Sequence, residues 1–221
     1  MMYKFPALCA RFFDKRFLFT AGIYVAFVAV VIAVAAALAG RGVLAFIDHP
    51  FLAYAEAIRS DALTPVMRAT TMLGSGTIVV GLSIVGVMWL LYRGMAVYAV
   101  AFITSVVGAS GVTVVMKWVL ERPRPSGFQA LMEHTFSFPS GHAALSLAFF
   151  GILVYFLIRH TSRRSLQVFA VLVGGMIIIA IGVSRVYLGV HWPSDVVGSY
   201  VLVGLWLAIV IRQMERKCVE V

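Results

Sequence analysis

Hydrophobic residues in this chain fall into long runs separated by polar intervals of unequal length. Six runs, at residues 17–40, 74–92, 95–116, 143–158, 167–186 and 196–211, approach or exceed the length that a helix needs to cross a bilayer. None alternates with the two-residue period of a membrane barrel, so the runs predict helices. The interval 41–73 is too long for a tight turn. Its mixture of apolar and polar residues (DHPFLAYAEAIRSDALTP) predicts an amphipathic segment on the outer membrane surface. The interval 117–142, KWVLERPRPSGFQALMEHTFSFPSGH, contains RPRP, whose two prolines stop any continuous helix. No internal repeat, low-complexity tract or long linker interrupts the pattern. Residues 1–221 therefore read as a single membrane domain, an all-α bundle of six transmembrane helices with an interfacial segment between the first two spans.

Composition strengthens this picture. The chain is 62% hydrophobic and 12% charged, and its mean hydropathy is +1.00. A soluble domain of this length needs far more polar surface. The net charge of +9 would suggest nucleic acid, but its placement argues against that. Lys4, Arg11, Lys15, Arg16, Arg93, Arg159, Arg163, Arg164, Arg212, Arg216 and Lys217 all fall on one side of the predicted bundle. They make up eleven of the 18 basic residues, and only Asp14, Glu215 and Glu220 accompany them. The positive-inside rule places both termini in the cytoplasm, so the excess charge reports topology and no nucleic-acid partner. Cys9 and Cys218 are then cytoplasmic and reduced. Ala37-Leu38-Ala39 before Gly40 has the form of a signal-peptidase site, but the preceding apolar run exceeds a usual signal-peptide core and predicts a retained span.

The direction of each span brings the candidate chemistry together. With the N-terminus inside, the third and fifth spans run outward and the fourth and sixth run inward. Lys117, His142, Ser184, Arg185, His191 and Asp195 then gather at the outer face. Arginine offers a planar fork to phosphate or carboxylate oxygens, and Lys117, Arg122, Arg124 and Arg185 supply four cations. The fourth and sixth spans both start there, so two helix N-termini can aim free N–H groups at an anion. In SFPSGHAALS, Ser140 can cap a helix and Pro139 is common near a helix start, whereas Gly141 lets a backbone approach closely. His191 and Asp195 are four apart, so a helix starting near 191 would let Asp195 accept from one ring nitrogen and leave the other as a lone-pair donor. Pro193 makes a helix start with Ser194 or Asp195 as its cap an equally natural reading.

These residues match a family pattern. Lys117 followed after six residues by Arg124-Pro125, then Pro139-Ser140-Gly141-His142, then Ser184-Arg185, His191 and Asp195, resemble the three-part signature of the type 2 phosphatidic acid phosphatase superfamily. All eleven positions occur in order between Lys117 and Asp195. Residues 1–116 resemble the family only in their layout of spans. The resemblance implies that Lys117, Arg124 and Arg185 bind phosphoryl oxygens, with Ser140 and Gly141 adding hydrogen bonds. It further implies that His191 is the nucleophile, Asp195 its orienting partner and His142 the acid that protonates the leaving oxygen. No cofactor and no metal is expected, because fixed cations can meet the developing charge.

The function expected is hydrolysis of a lipid phosphate or diphosphate, such as phosphatidylglycerophosphate, undecaprenyl diphosphate, phosphatidic acid or a lipid A phosphate. It would take place at the outer face of a bacterial cytoplasmic membrane. A lipid-linked phosphotransferase on the same pocket is the nearest alternative. An anion transporter would need ionisable residues deep within the spans, which are nearly free of them. A zinc hydrolase built on His142, His191 and Asp195 would place the metal among repelling cations. Arg122 reads equally as a headgroup or substrate contact, Glu121 as an arginine's partner and His134 as a solvated loop residue. His49 and His160 belong to no constellation.

Overall fold

The computed structural model describes residues 12–40, 43–126, 131 and 135–219, and its regular structure is entirely helical. Along the described chain run α1 (Lys15–Gly40), α2 (Val43–Ala57), α3 (Leu63–Met72) and α4 (Gly76–Tyr92). They are followed by α5 (Ala96–Leu120), α6 (Gly141–His160), α7 (Arg164–Tyr187) and α8 (Pro193–Val219). Among the described residues, four helices, α5 to α8, are long and apolar enough to cross a membrane, and α3 with α4 makes a fifth if the pair is one span bent by 42°. The predicted first span is a 26-residue helix, α1. Cys9 and His134 lie outside the described residues.

Helices α5, α6 and α8 pack against one another, α7 lies along α6, and α1 crosses α8. A cluster that includes Val79, Phe102, Phe149, Ile152, Val210 and Met214 fills the middle. Close approach is achieved with glycine. A Cβ on Gly108 would lie 2.2 Å from Nε1 of Trp206, whose indole donates to the Thr104 carbonyl at 3.0 Å. Tyr24 of α1 donates to the Leu202 carbonyl at 3.0 Å. Lys217 meets Asp14 at 2.8 Å, so the start of α1 is fastened to the end of α8.

The exterior has the reverse polarity of a soluble protein. On α7, Val168, Leu172, Met176, Ile179 and Val183 form one exposed apolar stripe. Such a surface is stable in lipid and not in water, so the chain is a multi-pass membrane protein.

One interval differs from the sequence reading. Residues 43–72 form two helices rather than one surface segment, and α3 runs directly into α4. The bend falls at Gly74, where a Cβ would come within 2.7 Å of Ile181 and 3.0 Å of the His142 carbonyl oxygen. Helix α2 is also inverted relative to a surface helix. Asp48, Leu52 and Ala55, on one face, are buried, while Phe46, Phe51 and Tyr54 point outward at 84%, 62% and 67% exposure. The large aromatic groups point out of the bundle and the carboxylate faces protein.

Candidate active site

The end of α5 and the loop after it bring the first candidates into place. Glu121 takes a left-handed conformation (φ 44°) and closes α5, its N–H bonding the Lys117 carbonyl at 3.0 Å. RPRP then leaves the helix, as the two prolines require. Ser137 N–H bonds the Arg122 carbonyl at 2.8 Å, so the loop before α6 is tied to the start of RPRP. Lys117 donates to Thr135 Oγ1 at 3.3 Å and to the Phe136 carbonyl. Arg124 donates to the Thr135 carbonyl at 2.7 Å and the Val190 carbonyl at 2.6 Å. Its Nη1 also lies 3.3 Å from His191 Nε2.

Helices α6 and α8 begin side by side. Ser140 N–H bonds the Asp195 carbonyl at 3.4 Å, and Ser199 Oγ donates to the Ser140 carbonyl at 3.1 Å. Ser140 occupies the N-cap position of α6, but its side chain makes no capping bond; the buried Oγ has no hydrogen-bond partner among the described residues. The capping role read from SFPSGHAALS is therefore not the one the hydroxyl fills. Gly141 and His142 form the first turn of α6 and are half-buried. Arg185, in the last turn of α7, is fully buried and donates to Thr71 Oγ1 of α3 at 2.9 Å.

His191 stands before α8 rather than on it. Pro193, lacking an N–H, is the first helical residue, so His191 and Asp195 meet across the helix start instead of along one helical face. Asp195 Oδ2 lies 3.4 Å from His191 Nδ1, accepts from the Trp192 N–H at 2.9 Å and accepts from Ser137 Oγ. Burial pushes the His191 imidazole down to about 4; Asp195 opposes the shift, and Arg124 and Arg185 add to it. The ring is thus neutral near pH 7.

All eight candidates, Lys117, Arg124, Ser140, Gly141, His142, Arg185, His191 and Asp195, stand at one end of the bundle. Among the described residues, no three histidine, cysteine, aspartate or glutamate side chains are placed to hold a metal ion. An apolar groove of about 560 Å³, lined by Met67, Thr70, Leu172, Met176 and Val183, runs between α3 and α7 toward this end.

Sequence reasoning missed several residues here. Ser137, Thr71 and Thr135 carry no motif signal, since small hydroxyls are common everywhere. Asp48 had a usable one: it is the only acid in the apolar stretch from Val43 to Tyr54, with Leu52 and Ala55 on its face. Arg122, read as a headgroup or substrate contact, instead bridges two carboxylates. It is 15% exposed and spans Asp48 at 2.6 Å and Asp195 at 2.5 Å, with its guanidinium over the Trp192 ring. His49 joins the same cluster, edge-on to Trp192 at 5.3 Å.

Fold and site together define a multi-pass helical membrane protein with basic, histidine and carboxylate side chains gathered where helices α6 and α8 start. More narrowly, the chain belongs to the PAP2 superfamily, whose sequence profile matches residues 98–218. Members of this superfamily are phosphatases that act on lipid phosphates or diphosphates. The chain is 32% identical over 178 residues to phosphatidylglycerophosphatase B of Bacillus subtilis, covering 77% of this chain and 84% of that protein. It is 29% identical over 132 residues to an undecaprenyl-diphosphatase of Sulfolobus acidocaldarius, covering 57% and 59%. The crystal structure of a transmembrane PAP2-type phosphatidylglycerolphosphate phosphatase from Bacillus subtilis superimposes with a TM-score of 0.77 at 27% identity, over 86% of this chain and 96% of that one. Aquifex aeolicus LpxE shares the fold, with a TM-score of 0.59 at 20% identity over 76% and 95%.

Proposed function

We propose that this protein removes phosphate from a membrane lipid phosphate or diphosphate through a phosphohistidine at His191. The observation that carries the reading is the setting of the His191 ring: Nδ1 faces Asp195, and Nε2 faces Arg124 at 3.3 Å. With Nδ1–H donated to Asp195, Nε2 holds a lone pair in the position where Arg124 would present a phosphoryl group. Nε2 attacks phosphorus as the bond to the lipid oxygen breaks, and His142 gives that oxygen its proton. Water then attacks the phosphohistidine, His142 takes the proton back and inorganic phosphate leaves. Lys117, Arg124 and Arg185 meet the charge on the equatorial oxygens, and the Ser140 hydroxyl and Gly141 N–H complete the cradle. This chemistry requires no metal from the solvent.

The groove between α3 and α7 suits an acyl or prenyl tail. Phosphatidylglycerophosphate and undecaprenyl diphosphate, the substrates in the names of the two relatives, are the first candidates. In the same reading the bundle has six spans, with α1 as the first. Both termini face the cytoplasm and the site opens on the outer face of a bacterial inner membrane.

The test is phosphate release by purified protein from both lipids, from phosphatidic acid and from glycerol phosphate. Lipids are expected to turn over far faster than the soluble ester, with activity retained in a chelator. Acid-labile phosphate should be trapped on the wild-type protein and be absent from His191→Ala. An adduct that persists in His191→Ala would refute the assignment.

A further inference from the structure

We infer that Asp48, on a helix outside the family signature, is a positioning residue that sets the catalytic aspartate through Arg122. The inference rests on the roles proposed for His191 and Asp195. It starts from a mismatch between burial and environment. Asp48 is fully buried, although α2 turns its aromatic residues outward. A buried carboxylate is retained only where charge and hydrogen bonds compensate it.

The partners of Asp48 are specific. Oδ2 accepts from Arg122 Nη2 at 2.6 Å and from Ser194 Oγ at 2.7 Å, and Oδ1 accepts from the Ser194 N–H at 2.8 Å. Ser194 is the second residue of α8 and Asp195 the third. A helix start leaves its first N–H groups unsatisfied, and a neighbouring side chain normally caps them. In this protein the cap on Ser194 N–H comes from a different helix, 146 residues earlier in the chain. The same carboxylate holds one prong of the Arg122 fork. The other prong donates to Asp195 Oδ1 at 2.5 Å and to Ser194 Oγ at 2.8 Å.

Two consequences follow for the reaction. The first is geometric. Asp195 has one oxygen committed to Arg122, which turns Oδ2 toward His191, Ser137 and the Trp192 N–H. The second is electrostatic. An arginine paired with Asp195 alone would drain the negative field that stabilises a charged, phosphorylated imidazole. Asp48 offsets that charge, so Asp195 keeps its pull on His191. Arginine suits the bridge because its fork spans two carboxylates at once, which a lysine ammonium on a flexible stem does not reproduce.

Asp48 touches no reacting group in this reading, so its loss acts on kcat and leaves KM nearly unchanged. Misplacement of a catalytic group by a distant substitution typically costs up to about 100-fold in rate. The experiment compares Asp48→Asn, Arg122→Lys and the double variant, assayed on one lipid phosphate well below each melting temperature. Each single variant is expected to lower kcat by roughly 10- to 100-fold, with KM within about two-fold of wild type. The double variant should lose no more than Arg122→Lys alone, because Asp48 acts through the fork. Wild-type kcat in a folded Asp48→Asn protein, or losses that multiply in the double variant, would overturn the inference. Should Asp48→Asn not fold, Arg122→Lys carries the test by itself, and a wild-type kcat there also overturns it. Adduct formation on the wild-type protein tests the nucleophile separately, so the two assignments can fail independently.

Discussion

A single ring shows how far residue identity alone could go. The spacing of His191 and Asp195 announced a pair, and the pair exists, but its geometry depends on Pro193 starting the helix two residues later than a shared face requires. Arg122 was ambiguous for a physical reason. Its partners come from positions 48 and 195, and a chain read locally cannot show a bridge that closes over such distances. The setting of His191 has a measurable outcome. Its pKa falls from the ordinary 6.5 to about 4, because burial in the fold disfavours the charged ring. Between those values the unfolded chain binds a proton that the folded one does not. His191 therefore contributes stability in full above pH 6.5 and loses it as the pH falls toward 4. Ring nitrogen shifts in histidine-labelled protein, assigned by the signal missing from His191→Ala, should show a neutral ring at pH 5.5 in the absence of substrate. A midpoint at or above 6.5 would mean that Asp195 outweighs burial.

At the level of helices, the hydropathy pattern located the long spans, and RPRP located the break after α5, because both signals are carried by consecutive residues. Helix ends were less accessible. α8 begins at Pro193 and runs to Val219, beyond the apolar run, because Gln213 and Lys217 find partners on the segment that begins α1. No sequence reading assigned the faces of α2, since the partner that buries Asp48, Arg122, lies 74 positions away. Helix contacts also distinguish two glycines one turn apart on α5. A methyl group on Gly108 would strike the Trp206 ring, which is pinned by its bond to Thr104, whereas Gly111 has nothing within 4 Å. Overpacking of this kind costs about 1–3 kcal/mol. Gly108→Ala should therefore lower the melting temperature in detergent, while Gly111→Ala should leave it unchanged or raise it slightly. Equal melting temperatures would show that α5 and α8 separate without cost.

For the molecule as a whole, the class was legible because membrane solvation imposes it on composition, and the chemistry because its motifs are short and local. The support behind the chemistry was not, because it is assembled from α2, α3 and the return loop, none of which has a distinguishing pattern. Orientation remains a proposal with a direct test. In a background without Cys9 and Cys218, a cysteine at Ser126 should react in intact cells with a reagent that cannot cross the membrane, and one at Ser162 should not. Both positions are exposed, so accessibility reports sidedness, and the opposite labelling would invert the topology. The bridge from Asp48 also bears on biogenesis. Its partners lie 74 and 146 positions downstream, so α2 is synthesised and delivered to the membrane long before anything exists to neutralise its carboxylate. A nascent chain stopped after α4 would carry that acid without the arginine and serine that compensate it in the finished protein.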